Sequence, residues 1–390
     1  SMESDNKLFL LDAYALIYRA YYAFIKNPRI NSKGFNTSAI LGFVNTLEEV
    51  LKKENPTHIG VAFDPAGPTF RHEAFEQYKA QREETPEAIR LSVPIIKEII
   101  RAYRIPILEV AGYEADDVIG TLATEAGRQG IITYMMTPDK DYGQLVSDKV
   151  FMYRPKHTGG FEVMGVDEVK AKFDIQSPAQ VIDMLGLMGD SSDNIPGCPG
   201  VGEKTAQKLI AEFGSIENLL EHTDQLKGAL KTKVETNREM ITFSKFLATI
   251  KIDVPIQLDM DSLVREQADE DSLRQIFEEL EFRTLIDRVL KKENAGNGIT
   301  TPTGNKTAAE KSNLAPLPLF PEEGGAVQGD LFANFTGNEP GEAKNSNLAT
   351  LETLNCDYQL IDTEEKRTKI IQKLLTSKIL SLDTETTGTE

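Results

Sequence analysis

Three short apolar runs, each delivering an aspartate at or just past its C-terminal end, constrain this chain more than any other feature. They are Lys7–Asp12 (KLFLLD), Ile59–Asp64 (IGVAFD) and Ile131–Met136 leading into Thr137, Pro138 and Asp139. Such short apolar runs read as strands, and the stretches between them as amphipathic helices. The alternation is the βαβ pattern, so the fold class expected is α/β, a mainly parallel central sheet flanked by helices. Sheets of this kind bind ligands beyond the C-terminal ends of their strands, where the three aspartates fall.

Further carboxylates come in tight groups: Glu114-Ala115-Asp116-Asp117, Asp139-Lys140-Asp141 and Asp190-Ser191-Ser192-Asp193. Taken singly, each has an ordinary explanation. Acids are favoured at helix N-termini by the macrodipole, and aspartate often caps a helix or ends a strand. Taken together with Asp12 and Asp64, they call for another. Two like charges about 4 Å apart repel by roughly 4 kcal/mol at an effective dielectric of about 20, so converged carboxylates need cations or raised pKa values. Hard oxygen donors without histidine or cysteine point to two or more Mg2+ ions, with Mn2+ able to substitute. The pattern reads as a multi-metal phosphodiesterase site. One ion lowers the pKa of a bound water, both clamp the oxygens of an in-line displacement at phosphorus, and no protein nucleophile is needed.

The formal charge of −18 at first argues against a nucleic-acid substrate. Its distribution weakens the objection. Residues 106–195 hold 15 acids and 7 bases, whereas residues 196–251 hold 7 acids and 8 bases, so the negative charge gathers where metals are expected and would invert its sign. Two cysteines far apart, Cys198 and Cys356, and four scattered histidines indicate neither a disulfide framework nor a zinc site. No apolar run reaches transmembrane length and the start lacks the pattern of a signal peptide, so a cytoplasmic location without membrane contact is the expectation. Ser1 before Met2 reads as a tag-cleavage scar.

From about 177 to 290 the pattern turns mostly helical, a subdomain continuing the first domain. Residues 291–347 are dominated by Gly, Asn, Thr, Pro and Glu without period and read as a flexible linker. Beyond it, Tyr358–Asp362 and Ile379–Asp383 look like strands flanking a helix over Glu364–Leu375.

The runs FDPAGPTFRHEAFEQYKAQR, GYEADDVIGTLA, TPDKDYGQLV and GDSSDNIPGCPGVGEKTAQKL, in this order, resemble the motifs of the 5'-nuclease (flap endonuclease) domains of bacterial DNA polymerase I. The resemblance covers roughly residues 7–290 and makes residues 2–290 the expected nuclease domain. It implies a PIN/FEN-like fold with a helical arch and a helix-three-turn-helix element. It further implies that Asp12, Asp64, Glu114, Asp116, Asp117 and Asp139 hold catalytic metals, with Asp141, Asp190 and Asp193 completing the second site. Cations are available in Phe70-Arg71-His72 through Arg82, a segment that resembles the family's helical gateway. Of these, the resemblance assigns Lys79 and Arg82 to the scissile phosphate and Tyr78 to stacking on a displaced base. Arg19 resembles another DNA contact. Gly200, Gly202, Lys204, Thr205 and Lys208 resemble the turn and helix that grip duplex phosphates, often with K+ bound by carbonyls. Ala13 stands where members often carry glycine, and Cys198 where an aliphatic residue is common.

The implied substrates are DNA with a 5' flap or 5' end and RNA-DNA primer junctions, cut by a monomer in replication and excision repair. A PIN-like ribonuclease and a non-catalytic DNA-junction binding module are the alternatives. In the linker, Gln328, Leu331 and Phe332 resemble a short sliding-clamp-binding peptide. At the far end, Asp383 and Glu385 in DTETTG resemble the first motif of DnaQ-like 3'-5' exonucleases. Residues 348–390 would then be the opening of such a domain, without the later carboxylates its chemistry needs.

Overall fold

A computed structural model describes residues 5–156 and 158–290. Gln328, Leu331, Phe332, Asp383 and Glu385, and the expected linker and second domain that carry them, lie outside the described residues.

Six strands form one sheet: β1 (Lys7–Asp12), β2 (His58–Ala62), β3 (Ile107–Leu108), β4 (Ile132–Met136), β5 (Val150–Pro155) and β6 (Phe161–Met164). Their order is β3-β2-β1-β4-β5-β6, with all neighbours parallel except β6, which runs antiparallel to β5. Winding reverses between β1 and β4, so connections leave these two strands in opposite directions and open a crevice at their C-terminal ends. Asp12 closes β1 in register with Ala62 of β2, and Leu11 pairs with Met136 of β4. Asp64 and Asp139 follow β2 and β4 by two and three residues, so the register alone sets all three aspartates at one sheet edge.

The apolar character of β1 follows from burial on both faces. Leu8 and Leu10 enter one core with Val118, Ile119 and Leu122 of helix Ala115–Arg128. Phe9 and Leu11 enter the other with Ile17, Phe43 and Ile96, from helices Ala13–Ala23, Ser38–Lys53 and Glu87–Ala102. The first core continues without a break into the helical region, through Leu185, Ile210, Ile216 and Ile241. The last two helices among the described residues, Glu270–Glu279 and Arg283–Leu290, close the second core with Leu273, Phe277, Leu285 and Ile286.

The segment expected as a helical gateway is helical only at its start, Phe70–Ala74. It continues as turns and extended chain until helix Glu87–Ala102 begins after Pro86. Proline at the cap favours an extended residue before it, which ends the irregular stretch there. Among the described residues, no helix is long and apolar enough to cross a membrane.

Candidate metal centre and nucleic-acid interface

Two carboxylate triads stand at the sheet edge. Glu114, Asp116 and Asp117 offer oxygens within 4.8 Å of one another, and so do Asp141, Asp190 and Asp193. The first triad occupies the N-terminus of helix Ala115–Arg128, whose dipole favours negative charge. Asp64 is tied to this turn, its Oδ1 accepting from the Ala115 amide at 2.7 Å. Asp12 is held from the other side: its Oδ2 accepts from the Tyr142 hydroxyl at 2.9 Å and from Thr137 Oγ1 at 3.2 Å. Both donors are fully buried, and nothing in the sequence marks their role. Tyr142 was visible only as part of TPDKDYGQLV, and which hydroxyl meets which acid depends on the β1–β4 pairing.

The second triad is built by two short 3-10 turns. Asp139 caps Lys140–Leu145 by accepting from the Asp141 amide at 2.9 Å. Asp190 caps Ser191–Asp193, accepting from the Ser192 amide at 2.9 Å and the Ser192 hydroxyl at 2.6 Å. Asp190 and Ile195 exchange both backbone hydrogen bonds, which folds this loop back on itself. Gly189 and Gly197 have φ of +73° and +65°, and a Cβ on Gly197 would lie 2.3 Å from the Gly189 nitrogen. Only glycine allows the two backbones to meet, so the glycines either side of DSSDNIP set the second triad's loop.

Charge in the two triads is unevenly relieved. Burial and the neighbouring Asp64 push Asp12 up to about 7, and burial with Asp193 pushes Asp139 up to about 6. Asp116 and Asp141 are also raised well above the ordinary carboxylate value, by burial first and then by Asp117 and Asp139 respectively. One oxygen of each, Oδ1 in both, is buried without a hydrogen-bond partner. Glu114 is the opposite case: burial would raise it, but Lys79 and Arg71 outweigh burial and hold it down to about 2. Buried carboxylate oxygens with no donor, one in each triad, are what a cation site looks like before its cation is counted. The donor set is all oxygen, which fits a hard divalent ion.

Asp117 differs from its neighbours. Its Oδ1 accepts from Arg71 Nη2 and the Lys251 amide at 2.9 and 2.8 Å, its Oδ2 from Arg71 Nη1 and the Glu114 amide at 2.7 and 3.2 Å. All four lone-pair positions are taken in this conformation, so Asp117, expected from the sequence as a metal ligand, here anchors the triad's turn to Arg71.

The expected gateway cations reach the triads. Lys79 Nζ lies 2.5 Å from Glu114 and 3.9 Å from Asp193, and Arg82 Nη2 lies 2.5 Å from Asp193. Lys79 adopts a left-handed φ of +55° while its amide donates to the Asp193 carbonyl at 3.0 Å. Gln81 and Arg82 add bonds to the carbonyls of Ser191 and Ser192, so residues 79–82 lie zipped along the Asp190 loop. Tyr78 corrects the expectation of a base-stacking ring. It is 3% exposed, packs edge-on to His72, and donates its hydroxyl to Glu114 at 3.1 Å.

Arg19 stands apart from the triads. It lines a small cavity with Leu16, Phe24 and Phe161, donates to the Lys156 carbonyl at 3.4 Å, and is lowered to about 9 by burial and Arg154. The expected duplex-gripping residues do come together. Gly202 caps helix Glu203–Phe213, and Gly200, Gly202, Lys204 and Lys208 are exposed at that end while Thr205 is half-buried. Lys204 and Lys208, four apart, share one helix face, opposite the buried Ala206, Leu209 and Ile210.

Residues 7–174 match the family described as 5'-3' exonuclease, N-terminal resolvase-like domain, and residues 176–271 match its partner, 5'-3' exonuclease, C-terminal SAM fold. DNA polymerase I of Bacillus caldotenax is 42% identical over 287 residues, covering 73% of this chain and 32% of that protein. DNA polymerase I of Bacillus subtilis is 43% identical over 291 residues, covering 74% and 33%. The chain thus spans about a third of the length of these relatives. Among solved structures, bacteriophage T5 5'-exonuclease with bound divalent metal ions superposes with a TM-score of 0.55 at 20% identity, covering 71% of this chain and 99% of that one. A T5 flap endonuclease complex with DNA and metal ions gives 0.53 at 21% identity, covering 71% and 100%. These two likenesses establish a shared fold. Both parts of one family follow in order along residues 7–271, and the chain belongs to the 5'-3' exonuclease family.

Proposed function

We propose that the chain is a structure-selective, metal-dependent 5' nuclease that hydrolyses phosphodiester bonds at 5' flaps and 5' ends of DNA and of RNA primers paired to DNA, acting as the nuclease part of a DNA polymerase I. The observation that carries the reading is the pair of acidic triads, each with one buried, unpartnered carboxylate oxygen, beside two cations on an irregular segment. Glu114 and Asp116, with Asp12 and Asp64 close by, would hold one divalent ion, and Asp141, Asp190 and Asp193, with Asp139, a second. Mg2+ or Mn2+ bound there supplies the Lewis acidity and the activated water that displacement at phosphorus requires.

The remaining work belongs to the side chains. Lys79 and Arg82 are the donors for the scissile phosphate, a role in which their present carboxylate partners are exchanged for phosphate oxygens. Lys204, Lys208 and the Gly200–Gly202 turn hold duplex phosphates without reading sequence, with K+ at that turn as part of the same proposal. Selectivity then rests on the junction between duplex and 5' single strand. Gln328, Leu331 and Phe332 as a sliding-clamp contact are tested separately by calorimetry with a peptide spanning residues 326–335.

The decisive experiment is cleavage of a 5'-labelled flap duplex in Mg2+ or EDTA. Cutting near the junction should require the metal, vanish in Asp116→Asn and slow roughly a hundredfold in Lys79→Ala. Binding without cutting by the parent would hand the chain to the non-catalytic junction-binding reading. Preference for single-stranded RNA would favour the PIN-like ribonuclease.

A further inference from the structure

Arg71 is the largest fully buried side chain among the described residues, at 1% exposure. A guanidinium has five N–H donors, and here all five are used. Nε donates to the Leu247 carbonyl at 2.9 Å. Nη1 donates to Glu114 at 2.5 Å and Asp117 at 2.7 Å, and Nη2 to Asp117 at 2.9 Å and the Thr249 carbonyl at 2.7 Å. The ring of Phe70 covers its face, with Cζ 4.5 Å from the centroid.

These bonds join three pieces of chain that are distant in sequence. Arg71 belongs to the first helix of the gateway. Glu114 and Asp117 belong to the first triad. Leu247 lies at the C-terminal end of helix Arg238–Ala248, where unpaired carbonyls and the macrodipole favour a cation. One turn back on that helix, the buried Ser244 hydroxyl accepts from the Gly197 amide at 2.9 Å, at the start of the turn that leads to Gly200 and Gly202. A continuous path therefore runs from Glu114 through Arg71 and the helix end to the Gly197 turn.

We infer that Arg71 is a positioning residue that registers the duplex-gripping turn against the first acidic triad, and so decides which phosphodiester is presented for cutting. The inference rests on the nuclease reading above and adds to it a determinant of cut position. A buried arginine could instead do no more than balance the charge of Asp117, and the two roles separate experimentally. Lysine keeps the charge but has three donors and no fork, so it cannot span both acids and both carbonyls.

The test uses the full chain on a 5'-labelled flap duplex with Mg2+, with products resolved to the nucleotide under single-turnover conditions. Arg71→Lys should cut roughly tenfold to a hundredfold more slowly at saturating substrate with little change in KM, and its products should spread over more positions than the parent's. Arg71→Gln with Asp117→Asn removes both charges, and should regain thermal stability over Arg71→Gln alone while keeping the broadened pattern. Ser244→Ala, a small change at the far end of the path, should broaden it in the same sense and decides the matter if the Arg71 variants do not fold. Parental product positions and rate in the lysine variant or the double variant would leave only charge balance and overturn the inference. An unchanged pattern in Ser244→Ala would overturn it as well. A parent that leaves the flap intact overturns the proposed function and the inference with it.

Discussion

Asp12 shows what a single strand-end residue is asked to do. It ends a strand buried on both faces, beside Asp64 and Asp139, and accepts hydrogen bonds from Tyr142 and Thr137 that cannot fully offset burial. Its folded pKa of about 7 exceeds the ordinary value of 3.8, so between these limits the folded chain binds a proton that the unfolded chain does not. The contribution is complete below about pH 4 and is lost as pH rises through about 7. Glu114 works the other way, its stabilisation present above the ordinary 4.5 and lost as pH falls through about 2. In EDTA, Asp12→Asn should therefore raise the midpoint of thermal unfolding at pH 8 by several degrees, with the gain fading towards pH 4. A gain independent of pH would remove burial of charge as its cause. The aspartates were legible in the sequence because an acid at the end of an apolar run is conspicuous. Tyr142, Thr137 and Arg71 were not: one more arginine in FRHEAFEQYKAQR looks like a surface cation, and its burial depends on carbonyls 176 and 178 residues away.

At the scale of elements, the strongly apolar strands β1, β2 and β4 stood out, while β3, β5 and β6 did not. β3 is two residues long, and β6 is an edge strand with Glu162 and Val163 exposed, so neither has the burial that writes a pattern into sequence. The gateway, expected to be helical, is helical only over Phe70–Ala74. Its cations rest on the carboxylates proposed to bind metal, with Lys79 on Glu114 and Arg82 on Asp193. An ammonium and a divalent ion cannot both occupy the same oxygens at full strength, so the two compete. Without DNA, Lys79→Ala should bind Mn2+ several-fold more tightly than the parent by calorimetry, although the same variant cuts more slowly. Weaker binding in Lys79→Ala would mean that the lysine helps to shape the ion site rather than competing for it. The opposite signs expected for affinity and rate separate a gateway that guards the triads from one that merely decorates them.

For the whole molecule, the sheet edge works only if both cores are closed, and the second core is closed from beyond the family's C-terminal boundary. The match to the family ends at residue 271, within helix Glu270–Glu279. Yet Leu273, Phe277, Leu280, Phe282, Leu285, Ile286 and Leu290 all bury against residues such as Phe9, Phe43 and Ile96. Each such side chain contributes roughly 1.5–3 kcal/mol when fully buried, against a net stability of roughly 5–15 kcal/mol for a typical domain. Together the seven come to about 10–20 kcal/mol, and an allowance for structure in the unfolded chain still leaves a sum comparable to that whole reserve. Asp269 reinforces the seam, its amide donating to the Ala102 carbonyl at 2.7 Å and its side chain capping the helix through Ser272. A fragment of residues 5–290 should unfold cooperatively in urea. A fragment of residues 5–271 should lack a transition or aggregate, and its exposed core should bind a hydrophobic dye. Equal midpoints for the two fragments would show that the last two helices are an addition to the nuclease fold and that β1 is sealed without them.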